Sequence, residues 1–169
     1  MTSFVFSQVL IAIAFCFDLA AFQFKNRKHI LLCMIVSAAL IATHFIVLDR
    51  ITAGLFIYVA VLRYALSYFT TSIKMMLLCM ILTTSVLLLT FSGMTSIIAF
   101  MGAMVGTWSS FRPDDRTLRR GAMVGTSLWI IHNILVKSPA AVVLEVFFLA
   151  GNFLGYYRFY LKRSVERIV

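Results

Sequence analysis

The chain has 169 residues, of which 62% are hydrophobic and only 12% are charged, and its mean hydropathy is +1.00. A soluble domain of that make-up would have too little polar surface to cover itself, so the composition points to a polytopic membrane protein. The formal charge of +9 does not indicate nucleic acid, because the basic residues fall in short clusters between apolar runs, where a membrane protein carries its topology signals.

Taken in chain order, the apolar runs are Phe4–Phe22, His29–Leu48, Ile51–Thr70, Ile73–Phe91, Met94–Phe111, Thr117–Val136 and Pro139–Tyr157. Each is about the 20 residues that a helix needs to cross a hydrocarbon core of roughly 30 Å. The expected fold is therefore an all-α membrane protein with seven transmembrane helices. No Lys or Arg precedes the first run, which lacks the basic start of a cleaved signal peptide and is expected to stay in the mature protein. Cys16, Cys33 and Cys79 each sit inside an apolar run, without metal or disulfide spacing.

The connections are short, so function must reside among the helices. Asp49-Arg50 and Lys137-Ser138-Pro139 read as tight reversals, with Pro139 at a first helical position where its missing N–H costs nothing. Lys25, Arg27, Lys28, Lys74, Arg112, Arg116, Arg119, Arg120, Arg158, Lys162, Arg163 and Arg167 fall on one side of this topology, and only Arg50 and Lys137 on the other. The positive-inside rule then puts the N-terminus outside and the C-terminus in the cytoplasm of a bacterial inner membrane.

The stretch from Ser127 to Tyr157 echoes the stretch from Ala39 to Phe69. An offset of 88 places His132 on His44, Ala141 on Ala53 and Tyr156 on Tyr68. A histidine precedes the break in both copies, and the break falls at the same place. A three-helix unit ends on the side opposite to where it began, so a second copy in the same orientation needs one extra crossing. Ile73–Phe91, which carries only threonines and serine as uncharged polar groups beyond Lys74, supplies it. The expected organisation is a first triple-helix repeat at 1–72, a linker transmembrane helix at 73–92, and a second triple-helix repeat with a basic tail at 93–169. The two repeats would be parallel bundles. Gly102 and Gly106, Gly121 and Gly125, and Gly151 and Gly155 place small residues four apart on each helix of the second repeat, which lets helix backbones approach closely.

The segments HFIVLDRITAGLFIYVAVLRY, SLWIIHNILVKSPAAVVLEV and GNFLGYYR resemble the YgjV-type family of bacterial inner-membrane proteins. That resemblance implies a fold and a location rather than a substrate. The 3+1+3 plan is similar to SWEET and PQ-loop transporters. This second likeness implies that Asn152 on helix 7 resembles the pocket asparagine of those transporters and that Trp129 resembles a pocket aromatic. The chain departs from them in having no proline in helices 1 and 5 and in placing Tyr64 at the position equivalent to Asn152.

The polar residues at membrane depth sort into two layers. Gln8, His44, His132 and Glu145 lie about four to seven residues from the outer ends of their helices, roughly 6–10 Å deep. Asp18, Arg63 and Asn152 lie near or below the midplane. Charges there are costly enough that they should face the bundle interior and pair. Asp18 and Arg63 are expected to form an ion pair between helices 1 and 3, and Glu145 to be the proton-sensitive group. The best reading is a small-solute transporter, either a facilitator or a proton-coupled carrier. Its polar site between the repeats would comprise Asn152, Trp129, Tyr64, His44 and His132, with Glu145, Asp18 and Arg63 as proton or ion-pair groups. No cofactor, metal or catalytic residue is expected. The partners would be the lipid bilayer and a small polar solute, and a homo-oligomer is compatible with the chain.

Two alternatives remain. An intramembrane metal-dependent hydrolase would use His44, His132 and Glu145, but a further ligand at that depth could come only from Gln8. A non-transporting regulatory or scaffolding protein is the other. A retinal receptor is excluded, because helix 7 has no interior lysine.

Overall fold

A computed structural model describes residues 3–48, 51–135, 137 and 139–162. Among the described residues the chain is all-helical, with seven α-helices: α1 (Ser3–Gln23), α2 (Arg27–Val47), α3 (Ile51–Phe69), α4 (Ile73–Thr90), α5 (Met94–Ser110), α6 (Asp115–Leu135) and α7 (Pro139–Tyr156). These bounds fall within two residues of the apolar runs, and several of the runs are bounded by residues that cap or turn the chain.

Asn26 caps α2, its side-chain oxygen accepting the Lys28 N–H at 2.9 Å. Asp114 does the same for α6 through the Thr117 N–H at 2.7 Å, which satisfies a donor that has no partner inside the helix. That hydrogen bond to the charged form holds the Asp114 carboxyl below its ordinary pKa. Gly93 precedes α5 at a φ of 101°, a left-handed conformation that glycine adopts without steric cost. Lys137 takes a φ of 57°, with its N–H on the Ile134 carbonyl at 3.0 Å. This left-handed C-cap turns the chain toward Pro139 at the start of α7. The Asp49-Arg50 turn, Ser138, Arg163 and Arg167 lie outside the described residues.

Among the described residues four helical stretches are long and apolar enough to cross a membrane: Phe4–Gln23, Arg27–Val47, Ile73–Thr90 and Ala141–Leu161. The remaining helices fall short of the expected spans for different reasons. α5 has 17 residues, which is about 26 Å of helix. α6 begins at Asp115, two residues before the expected start, and carries Asp115, Arg116, Arg119 and Arg120 in its opening turns. In α3, the apolar stretch counted over described side chains is Ile57–Phe69.

The chain divides into two compact units, Met1–Thr70 and Thr71–Val169. In the first, α2 is the central helix and packs on both α1 and α3. In the second, α6 is central between α5 and α7, and α4 packs on α5.

The α5–α6 seam is built from glycines. A Cβ at Gly102 would stand 3.2 Å from the Gly125 carbonyl oxygen, and one at Gly125 would stand 3.2 Å from the Gly102 carbonyl oxygen. A Cβ at Gly121 would overlap the Ser109 side chain. The matching seam of the first unit, displaced by 88 residues, is made of Ala14, Asp18, Cys33 and Ser37. Ala14, Cys33 and Ser37 are buried there. α7 continues beyond Tyr156 as a wider π-helical turn over Tyr157–Leu161.

Candidate functional site

The two histidines that align at the offset of 88 make the same contact in each unit. His44 on α2 places its Nδ1 3.0 Å from the Ser7 carbonyl oxygen of α1. His132 on α6 places its Nδ1 2.9 Å from the Thr95 carbonyl oxygen of α5. Ser7 and Thr95 are themselves 88 residues apart, so the register of the sequence echo extends to the first helix of each unit. A carbonyl can only accept, so Nδ1 carries the proton in both rings and Nε2 is the basic nitrogen of the neutral imidazole. Each ring therefore ties two helices together and keeps one nitrogen for other chemistry.

The surroundings of the two rings differ. Beside His44, the Thr43 hydroxyl lies 3.2 Å from the Tyr58 hydroxyl, which links α2 to α3. Beside His132, Trp129 packs edge-on at 5.3 Å, and its indole fills the space against Gly102. Trp129 is thus a packing neighbour of the histidine, seated where a glycine leaves room. Gln8, at the same expected depth, donates to the Ser7 hydroxyl at 3.4 Å. Glu145 on α7 is half-buried.

Among the described residues no salt bridge between Asp18 and Arg63, the pair the sequence suggested, is found. The neighbours of Asp18 are Ser37 and Cys33, both on α2. Arg63 is buried on α3, with its guanidinium over the Tyr64 ring at 4.5 Å. Among the described residues the ion pair found is Arg119 with Asp115. The physical reason is the order of packing. α2 packs on both α1 and α3, so a side chain directed inward from α1 meets α2. The cation serving the end of α3 also comes from α2, since Arg27 donates to the Ser67 carbonyl at 2.6 Å.

Asn152 is held within its own unit. Its Oδ1 accepts from Arg119 Nη1 at 3.4 Å, and its Nδ2 donates to the Arg119 carbonyl at 2.9 Å. Both side chains are buried, Arg119 at 1% exposure and Asn152 at 2%. The Arg119 Nε lies 3.7 Å from the Asp115 carboxylate. Sequence reasoning treated Arg119 only as one of a group of topology charges. The signal that distinguishes it is the offset of 88, which sets Arg119 on Leu31, a wholly buried core residue. A charge at a core position needs a buried polar partner, and Asn152 is that partner, standing where the first unit has Tyr64.

The same end of the second unit carries a further arginine cluster. Arg116 and Arg120 both donate through Nε to the Tyr156 hydroxyl, at 3.2 Å and 2.9 Å. The first unit has a simpler version at the same offset, with the Lys28 ammonium over the Tyr68 ring at 5.6 Å. Among the described residues, no group of three His, Cys, Asp or Glu side chains is placed to hold a metal ion.

A family described as bacterial inner membrane protein, Imp-YgjV, matches residues 5–163. No curated protein and no solved structure matches the chain significantly. With nearly its whole length covered, the chain belongs to this family of bacterial inner membrane proteins.

Proposed function

We propose that this inner membrane protein is a carrier for a small polar solute, built from two copies of a three-helix unit joined through α4. The observation that supports this reading is the repeated tie of His44 to the Ser7 carbonyl and of His132 to the Thr95 carbonyl. Duplicated helical units are a recurrent construction of secondary transporters. A scaffold protein has no need for the same histidine bridge, at the same register, in each half. The 3+1+3 plan similar to SWEET and PQ-loop proteins, with the N-terminus outside and the C-terminus in the cytoplasm, belongs to this proposal.

In this reading the solute-binding groups come from His44, His132, Tyr64, Trp129 and Asn152. The two histidines are the best placed, because the carbonyl contact orients each ring and leaves Nε2 to bind. Asn152 acts together with Arg119, whose guanidinium it already holds. Glu145, Asp18 and Arg63 are the charged groups available for proton coupling, and no catalytic step is involved.

The test is uptake by proteoliposomes of neutral sugars, amino acids and small carboxylates, compared with empty vesicles at several pH values. A carrier accumulates one class above the empty-vesicle level, and His44→Gln or His132→Gln reduces that uptake about tenfold or more. Wild-type protein that is folded by circular dichroism yet moves none of the three classes defeats the proposal. If uptake is found, Glu145→Gln decides the coupling. A changed pH profile assigns the proton to Glu145, and an unchanged profile makes the carrier a facilitator.

A further inference from the structure

We propose that Arg116 and Arg120, gathered on the phenol of Tyr156, form a phosphate-binding site for the headgroup of an anionic phospholipid. Both guanidinium groups donate to one hydroxyl oxygen, so their Nε atoms cannot be more than about 6 Å apart, and two like charges that close repel each other. The acidic residues of the same turns are engaged elsewhere. Asp114 caps α6 through the Thr117 N–H, and Asp115 pairs with Arg119. Asp114 acts on Arg116 only at longer range. Among the described residues neither Arg116 nor Arg120 takes part in an ion pair.

Both arginines spend Nε on Tyr156, which leaves the Nη groups to donate elsewhere. A phosphate offers several acceptor oxygens around one centre of negative charge, the geometry that two converging guanidinium groups recognise best. Arg116 also lies over the Tyr160 ring at 5.5 Å, and Arg120 over the Tyr156 ring at 5.5 Å. The aromatic faces thus hold the two cations in place. The π-helical turn starts at Tyr157, and the Tyr156 and Tyr160 rings stand 5.3 Å apart. Such turns are frequent at functional sites.

A lipid is the favoured source of the phosphate because exposed apolar side chains stand on the helix that carries Tyr156. Phe153, Leu154, Tyr157 and Leu161 on the same helix are large and exposed, and they give an acyl chain a surface to lie on while the headgroup meets the arginines. Basic sites at helix ends are suited to anionic headgroups. The first unit supplies an internal contrast. At the offset of 88 it has Lys28 against Tyr68, but Leu32 stands where the second unit has Arg120. Only the second unit therefore assembles the pair.

The experiment is a titration of the protein in a neutral detergent with phosphatidylglycerol, with bound lipid read by native mass spectrometry. Wild type should retain phosphatidylglycerol in preference to phosphatidylcholine. Arg116→Gln with Arg120→Gln should weaken that binding about tenfold or more, in line with the loss of charge-assisted hydrogen bonds. Tyr156→Phe, which removes only the gathering hydroxyl, should weaken it less. Arg158→Gln with Lys162→Gln removes the same charge nearby and should leave binding close to wild type. Equal losses in the two double variants, or unchanged binding in the first, would overturn the site. Displacement of the lipid by millimolar inorganic phosphate would assign the site to a soluble phosphate and overturn the lipid.

Discussion

The two units share a register but solve the packing of their first two helices with opposite chemistry. In the second unit α5 and α6 meet through glycines, close enough that Cβ atoms at Gly102, Gly121 or Gly125 would crowd the facing helix. In the first unit the corresponding positions are Ala14, Cys33 and Ser37, and Asp18 stands where Gly106 would be. At the basic end the contrast reverses. Leu31 and Leu32 of the first unit are replaced by Arg119 and Arg120 in the second. Two units in one register can thus share helix-to-helix ties while the polar groups sit in the middle of one and at the end of the other. The histidine bridges persist because they link backbone to side chain and so tolerate change in the residues around them.

The largest effect should come from the buried end of the second unit. Arg119→Leu leaves Asp115 without its cation and Asn152 without its partner, and removing one member of a buried pair typically costs about 3–5 kcal/mol. Thermal unfolding in detergent should show a marked drop. At the equivalent place in the first unit, Leu31→Met should cost less than about 1.5 kcal/mol, as volume-conserving swaps do. Similar losses at both positions would remove the contrast between the two ends.

Next in size is the glycine seam. Gly121→Ala drives a methyl group into Ser109 and should destabilise by about 1–3 kcal/mol. Cys33→Ala at the matching position of the first unit should cost about 1 kcal/mol or less, since only one sulfur is lost. A third comparison sharpens the shared feature. His44→Gln and His132→Gln each remove a hydrogen bond from ring to carbonyl and should each cost about 1 kcal/mol. Clearly unequal losses would mean that the two bridges are not equivalent.

The smallest expected effect is at Asp18. Its neighbours are Ser37 and Cys33 rather than a cation, so Asp18→Asn should change stability by less than about 1 kcal/mol. A loss of about 3–5 kcal/mol, the range for a broken buried pair, would restore the ion pair with Arg63.

Much of this architecture was legible in advance because the forces that set it are local. Apolar runs of about membrane length, with Pro139 at the start of the last one, place each helix to within a turn. The offset of 88 was readable from His44 and His132, but the contacts with Ser7 and Thr95 were found only in the structure. The residues that stayed illegible are those whose role depends on which helices touch. Asp18 and Arg63 have the right charges and similar expected depth, but the neighbours found for Asp18 lie on α2, which packs against both α1 and α3.

By itself, the sequence determined that the chain is built of apolar helices, and where each helix begins and ends to within two residues. Those features follow from periodicity, length and capping, which act over a few residues. The tertiary structure decided which polar groups share a burial site. It showed Arg119, read from the sequence only as a topology charge, to be the partner of Asn152, and it gathered Arg116 and Arg120 on Tyr156. These contacts join side chains that lie 33 to 40 positions apart in the chain. Only the packing of α6 on α7 brings those partners within reach.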